Sequence, residues 1–233
     1  MPSRNRKHGS KVAIVGAGFV GSTSAYACLI DGAASEIALI DVSREKAEGE
    51  AMDLQHGLPF KPNVKITFGD KYDLCKDAEI VVICAGAHQK PDETRLELVN
   101  KNATIFKQMI PGITNHNKGC ILLVVSNPLD VLTYLALKYS KFPRNRVFGS
   151  GTILDTARFR YLLSQHFEVS PNSVHAYVLG EHGDSSFPVW SSANIAGVNL
   201  KHMKKYSKKV MYEIYQKTKS AAYEVIARKG ATY

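Results

Sequence analysis

The sequence predicts an α/β fold built on a doubly wound parallel sheet. Three observations predict it. Short β-branched apolar runs alternate with helical stretches, a glycine turn follows the first run, and an acidic residue closes the second. Lys11-Val12-Ala13-Ile14-Val15 reads as a strand buried on both faces. In Gly16-Ala17-Gly18-Phe19-Val20-Gly21, Gly16 permits the tight bend, Gly18 lets backbone approach a pyrophosphate, and Gly21 lets helix pack closely on strand. A helix from Ser22 to Ile30 ends near Asp31-Gly32, and the strand Ile37-Ala38-Leu39-Ile40 delivers Asp41, placed to accept both ribose hydroxyls and to repel a 2′-phosphate. A lone G-x-G-x-x-G is weak, but strand, turn, helix, strand and acid in one unit point to NAD rather than NADP.

After Asp41, Ser43 reads as the N-cap of a helix through Leu54, with Glu45, Glu48 and Glu50 in its early turns and Lys46 in reach of the adenosine side. Pro59 and Pro62 break the chain before a third strand, Val64 to Phe68. Ile80 to Gly86 reads as the fourth strand, with Gly86 where backbone can approach a cofactor. Ile121 to Val125 is the fifth, ending at Ser126-Asn127-Pro128, and Arg146-Val147-Phe148 is the sixth, ending at Gly149-Ser150-Gly151. Ligands of such sheets bind at the carboxyl ends of the strands, so the residues just after each strand carry the chemistry.

Composition narrows the class. The 233 residues are 45% hydrophobic, enough for a sizeable core, and no apolar run approaches a membrane span. The N-terminus lacks a signal-peptide core, so a cytoplasmic protein is expected. Cys28, Cys75, Cys84 and Cys120 lack metal-ligand spacing, and the reading is of free thiols with no metal. Of the net charge of +9, part sits in a flexible tail (1–10, with Arg4, Arg6 and Lys7) and part in Lys201, Lys204, Lys205, Lys208 and Lys209. A solvated helix face is favoured there over a nucleic-acid patch, since no nucleic-acid motif accompanies the lysines.

Five stretches together carry a resemblance: Ala85-Gly86-Ala87-His88-Gln89-Lys90-Pro91, Glu93-Thr94-Arg95-Leu96, Ser126-Asn127-Pro128, Leu154-Asp155-Thr156-Ala157-Arg158-Phe159-Arg160 and Gly180-Glu181-His182-Gly183-Asp184-Ser185. In this order they resemble the L-lactate dehydrogenases of the bacterial, fructose 1,6-bisphosphate-activated kind, from about Lys11 to Tyr233. The resemblance implies a Rossmann NAD-binding domain over 11–150 and a second, incomplete α+β substrate domain over 151–233. It also implies pyruvate and lactate as substrates, the last step of fermentative glycolysis, and a homotetramer.

Carbonyl reduction needs a proton at oxygen as hydride reaches carbon, and imidazole titrates in the right range to serve both directions. His182, between two glycines after a strand read from Val174 to Leu179, is the expected acid/base, and the resemblance makes Asp155 its carboxylate partner. Asp155 and Arg158 stand three apart on a helix read from Ile153 to Gln165, so they share a face. An intrahelical ion pair is the plain reading; a guanidinium gripping a 2-oxo acid's carboxylate through two hydrogen bonds is the functional one. Arg160 lies roughly 200° around the helix from Arg158. By resemblance it joins His175 in an activator site for fructose 1,6-bisphosphate.

The segment His88 to Leu96 suits a lid that brings Arg95 to the carbonyl and excludes water. By resemblance Gln89 faces the substrate's C3 end, where malate dehydrogenases carry arginine. An amide leaves a second carboxylate unpaired, which argues for pyruvate over oxaloacetate. Asp92 departs from the glycine expected in this loop. Asn127 and Thr232 are assigned to the substrate, with Asn127 also on the nicotinamide side. The resemblance adds Val20, Tyr72, Ala87, Ser126 and Ser150 to the cofactor contacts expected of Gly16, Gly18, Gly21, Asp41, Lys46 and Gly86. The family continues beyond Gly230-Ala231-Thr232-Tyr233, so the second domain is expected to be incomplete, with exposed apolar surface and little turnover as it stands. Two alternatives stay open: malate or another 2-hydroxyacid dehydrogenase, and an NAD-binding protein without turnover.

Overall fold

The computed structural model describes residues 10–60, 64–87 and 94–233. The basic tail, Pro62 and the lid residues from His88 to Glu93, Gln89 and Asp92 among them, lie outside the described residues. The chain divides into two compact units, Met1–Gly149 with Tyr233, and Ser150–Thr232.

The first unit is built on six parallel strands: β1 (Lys11–Val15), β2 (Glu36–Ile40), β3 (Lys65–Gly69), β4 (Ile80–Ile83), β5 (Ile121–Val124) and β6 (Val147–Gly149). Their order is β3-β2-β1-β4-β5-β6, the doubly wound arrangement with its switch point between β1 and β4. The strands alternate sides as a period of two requires. Val12, Ile14, Ile37, Leu39 and Ile66 turn to one face, under α1 (Phe19–Asp31) and α2 (Arg44–His56). Ala13, Val15, Ala38, Ile40, Val81, Ile83, Leu122 and Val124 turn to the other, under α3 (Arg95–His116) and α4 (Leu129–Ser140).

Local chemistry explains the helix ends. Helix α1 begins at Phe19, earlier than the Ser22 expected, because the glycine turn feeds directly into it, and it stops at Gly32 in a left-handed cap. Ser43 caps α2, its hydroxyl accepting from the Lys46 N–H at 3.3 Å. Thr94 and Glu97 form a reciprocal capping box at the start of α3. At the amino edge of the sheet Lys11, Glu36 and Lys65 pair across three strands in register, with Nζ–Oε distances of 3.0 and 3.4 Å.

The second unit packs α5 (Ile153–Phe167) against α6 (Lys208–Lys229), with five two-residue strands beside them: β7 (Val174–His175), β8 (Val178–Leu179), β9 (Phe187–Pro188), β10 (Asn194–Ile195) and β11 (Val198–Asn199). Its core holds Phe159, Leu163 and Phe167 of α5 with Met211, Ile214 and Tyr215 of α6. The single strand expected from Val174 to Leu179 is two: β7 pairs β10 in one sheet and β8 pairs β9 in another. The cause lies on α5. Thr156 Oγ1 accepts from the Val178 N–H at 3.0 Å, and the Thr152 hydroxyl donates to Val178 O at 2.6 Å, which takes this backbone away from the first sheet. Of the basic cluster, Lys205 pairs with Glu168 at 2.8 Å.

Candidate active site

In the first unit the glycine turn is shaped by close approach. Gly16 has φ +102°, and a Cβ there would sit 2.5 Å from Ala85 N; a Cβ on Gly21 would sit 1.8 Å from Gly16 O. Above Gly18 the nearest heavy atom to a Cβ would be Lys46 Nζ, at 3.9 Å. The turn therefore leaves space over Gly18 with the Lys46 ammonium at its border. Helix α1 starts there with no side-chain cap, so its first-turn N–H groups, Val20's included, carry the partial positive charge that an anion would meet. Asp41 sits at the end of β2, its Oδ2 accepting from the Ala17 N–H at 2.8 Å and its Oδ1 from the Ser43 N–H at 3.0 Å. Each oxygen keeps a second lone pair for a ribose hydroxyl. These features fit a dinucleotide: space for pyrophosphate over glycine, and a carboxylate one strand away.

The ends of β4 and β5 are joined by a residue that sequence reasoning missed. Asn102 of α3 is wholly buried; its Oδ1 accepts from the Ala87 N–H at 2.7 Å, and its Nδ2 donates to Asn127 O at 2.9 Å and Ala87 O at 3.3 Å. Gly86 lies against Asn102 and Ser126, and the Ser126 hydroxyl bonds to Ala85 O at 2.6 Å. The signal was present: Asn102, Phe106, Met109, Ile110 and Ile113 fall at helical spacing on one buried face. Tyr72 is half-buried and packs on Gly112 of α3; burial pushes its phenol above its usual pKa. Arg95 opens α3, and its side chain lies outside what is described.

In the second unit His182 Nδ1 lies 2.6 Å from Asp155 Oδ2. The other oxygen, Oδ1, is 3.7 Å from Arg158 Nη1, and the three side chains are 24%, 14% and 14% exposed. Asp155 thus stands between the imidazole and the guanidinium. The intrahelical pair is real, but an i,i+3 pair supplies only about 0.2–0.5 kcal/mol, too little to account for a histidine brought to the same carboxylate from another loop. Arg160 donates from Nη2 to Pro171 O at 3.3 Å, with its Nε buried and unpartnered, and His175 is exposed on β7, four residues after Pro171. Ser150 begins this unit, its carbonyl accepting from the Ile153 N–H at 3.3 Å; Thr232 follows α6, partly buried. Among the described residues no group of three or more His, Cys, Asp or Glu could hold a metal ion, and no helix is long and apolar enough to cross a membrane.

Comparison with known proteins agrees with both halves of this description. Residues 10–149 match the lactate/malate dehydrogenase NAD-binding domain, and residues 152–233 match the lactate/malate dehydrogenase alpha/beta C-terminal domain. The chain is 52% identical over 232 residues to L-lactate dehydrogenase 1 of Clostridium acetobutylicum, covering 97% of this chain and 74% of that protein. It is 52% identical over 237 residues to the L-lactate dehydrogenase of Acetivibrio thermocellus, covering 98% and 74%. Among solved structures, a lactate dehydrogenase from a Medee basin deep-sea metagenome library matches with a TM-score of 0.92 at 49% identity, covering 96% of this chain and 73% of that one. The minor L-lactate dehydrogenase from Enterococcus mundtii in its ligands-bound form matches at 0.93 and 45%, with the same coverage. A dinucleotide cradle in one unit, a His–Asp–Arg cluster in the other and a match to both domains lead to one conclusion: the chain belongs to the lactate/malate dehydrogenase family, and its first unit is that family's NAD-binding domain.

Proposed function

We propose that the protein is an NAD-dependent L-lactate dehydrogenase, interconverting pyruvate and (S)-lactate as the last step of fermentative glycolysis. The observation that carries the reading is the 2.6 Å contact between His182 Nδ1 and Asp155. A carboxylate there accepts the Nδ1 proton, fixes the tautomer and stabilises the imidazolium, so Nε2 is the nitrogen that gives a proton to the ketone oxygen or takes it from the alcohol. Bound NADH supplies the hydride.

Arg158, one helical turn from Asp155, grips the substrate carboxylate through paired hydrogen bonds. Arg95, at the start of α3, polarises the carbonyl. Gln89 faces the C3 end and leaves oxaloacetate's second carboxylate without a countercharge. Asn127 and Thr232 line the same substrate. Gly16, Gly18, Gly21 and Lys46 receive the pyrophosphate, Asp41 the ribose, and Val20, Tyr72, Gly86, Ala87, Ser126, Asn127 and Ser150 the remainder of the cofactor. The relatives' names support pyruvate and lactate as the substrate pair.

Regulation and assembly belong to the same reading: a cytoplasmic homotetramer with Arg160 and His175 binding fructose 1,6-bisphosphate. Arg160 Nε, buried and unpartnered, supports an anion near α5. Association is supported by a cavity of about 460 Å³ between α1 and α2, where Tyr26, Leu29, Ile30, Leu54 and Phe60 line it beside Ser22, Thr23, Glu50 and Asp53, with Phe60 86% exposed.

The test is NADH oxidation with pyruvate, oxaloacetate and branched 2-oxo acids, with and without fructose 1,6-bisphosphate. It is run on this chain and on one extended to the relatives' length. Turnover with pyruvate that His182→Asn abolishes and Gln89→Arg shifts to oxaloacetate is expected. Turnover untouched by His182→Asn would overturn the role of the imidazole, and indifference to the bisphosphate would overturn the activator site.

A further inference from the structure

We infer that Tyr215 and Lys219 of α6 are positioning residues that hold the loop bearing His182 at the distance from Asp155 which proton transfer needs. The inference rests on the reading of His182 as the acid/base, and it adds the device that keeps that imidazole in place.

His182 stands in the seven-residue loop 180–186 that links β8 to β9. Those strands pair at only two positions, Val178 with Pro188 and Leu179 with Phe187, and so short a ladder cannot order a loop of this length by itself. Within the loop, the Gly183 N–H donates to Glu181 O at 2.9 Å and the Ser185 hydroxyl to Glu181 Oε2 at 2.6 Å; these shape it without fixing it to the rest of the unit.

Outward ties among the described residues run to two helices. Toward α5 there is the His182–Asp155 contact. Toward α6 there are two more: the Tyr215 hydroxyl donates to Ser186 O, and Lys219 Nζ donates to Asp184 O at 2.7 Å. With the Tyr215 proton spent on that carbonyl, the Ser186 hydroxyl, 3.1 Å away, donates back to the phenol oxygen.

Tyr215 is suited to anchoring because its two ends face different surroundings. Its ring is buried in the α5–α6 core, edge-on to Phe159 with centroids 6.3 Å apart, while its hydroxyl emerges at the loop. Lys219 lies one turn further along α6, its Nζ 6.0 Å from the same ring centroid. Phe159 is itself four residues beyond Asp155 on α5. The packed helices therefore fix both members of the hydrogen-bonded His182–Asp155 pair, α5 by carrying Asp155 and α6 by clamping backbone on the far side of His182. Both clamps fall on main-chain carbonyls, so they set where the loop sits without altering the imidazole's own bonding.

The test compares Tyr215→Phe, Lys219→Met, the double variant and Lys219→Arg by two measurements: amide hydrogen exchange over residues 183–187, and steady-state kinetics with pyruvate at saturating NADH. In the double variant the loop amides exchange about tenfold faster. Its kcat falls about tenfold while the KM for pyruvate, governed by Arg158 on α5, stays within about twofold. Lys219→Arg, which keeps a donor on a long stem, recovers most of the Lys219→Met loss. A purely structural role would lower thermal stability without separating kcat from KM. Unchanged loop exchange, or faster exchange with wild-type kcat, overturns the inference. Failure of the underlying reading is recognised separately, by turnover that survives His182→Asn, and the exchange measurement judges the clamp even then.

Discussion

His182 Nδ1 and Asp155 Oδ2 lie 2.6 Å apart, although the two residues are 27 positions apart in sequence and come from a hairpin loop and a helix. A contact this short, with Arg158 3.7 Å from the other oxygen, makes Asp155 the residue through which an imidazole and a guanidinium are oriented. Replacing Asp155 by Asn keeps the shape but offers the ring the wrong hydrogen-bonding partner. The expected outcome is a kcat lower by about 10–100-fold, by analogy with carboxylate–histidine pairs elsewhere. Thermal unfolding should shift little, and stopped-flow single turnovers check that the loss is in the chemical step.

Gly21→Ala tests the cradle. Its Cβ would fall 1.8 Å from Gly16 O and 3.0 Å from Gly16 C, backbone atoms that cannot swing aside. The variant is expected to lose about 3 kcal/mol of stability and its NADH affinity together, because relief comes only by moving α1 off the turn. Urea unfolding and NADH fluorescence titration measure the two.

Asn102→Ala removes the buried amide that joins the strand ends. The Ala87 N–H and the Asn127 carbonyl are then left without this partner, at a cost of about 3 kcal/mol. Asn102→Asp, which keeps the acceptor for Ala87 but loses the donor for Asn127, should also be destabilised. A calorimetric scan showing either variant as stable as the parent would refute the assignment.

The Lys11–Glu36–Lys65 pairing gives a pH signature. Burial acts to raise the Glu36 pKa, but the hydrogen bonds and charges of Lys11 and Lys65 outweigh it, so the folded-state value lies below the usual 4.5. The unfolded chain takes up a proton first as pH falls. Glu36 therefore stabilises the fold above about 4.5, and that contribution is lost on the way down through the folded value. Because Lys65 is 68% exposed, the contribution is held to about 1 kcal/mol or less. Urea midpoints at several acidic pH values should fall less steeply in Glu36→Gln.

The thiols act at the alkaline end. Burial pushes Cys75 and Cys84 up from 9.0 to about 12 and Cys120 to about 11. Unfolded cysteines ionise first, so stability is full below about 9 and declines as pH rises from there toward the folded values. Native protein at neutral pH should react slowly with iodoacetamide at the buried Cys75 and Cys120, and mass-mapped labelling that finds either of them fast would contradict their burial.

The first unit was legible because its determinants are local. Turn glycines, β-branched runs and an acid at a strand end are properties of a few consecutive residues, and the six-stranded order follows from their alternation with helices. The second unit was less so. Val174 to Leu179 reads as one strand, and the hydroxyls of Thr152 and Thr156, at the start of α5, draw off the backbone of Val178 and divide it. Asn102, Tyr215 and Lys219 escaped for the same reason: a polar side chain on a helix declares its partner only once the fold brings a distant loop to it.

The two backbone N–H groups that Asp41 accepts hold its carboxylate in one orientation before any nucleotide arrives. Side-chain immobilisation on association typically costs roughly 0.5–1.5 kcal/mol per group, and here folding has already met that cost. Recognition of the ribose by this carboxylate should consequently be rigid and sterically exacting. Analogues with altered sugar stereochemistry should be rejected more sharply than analogues altered in the base.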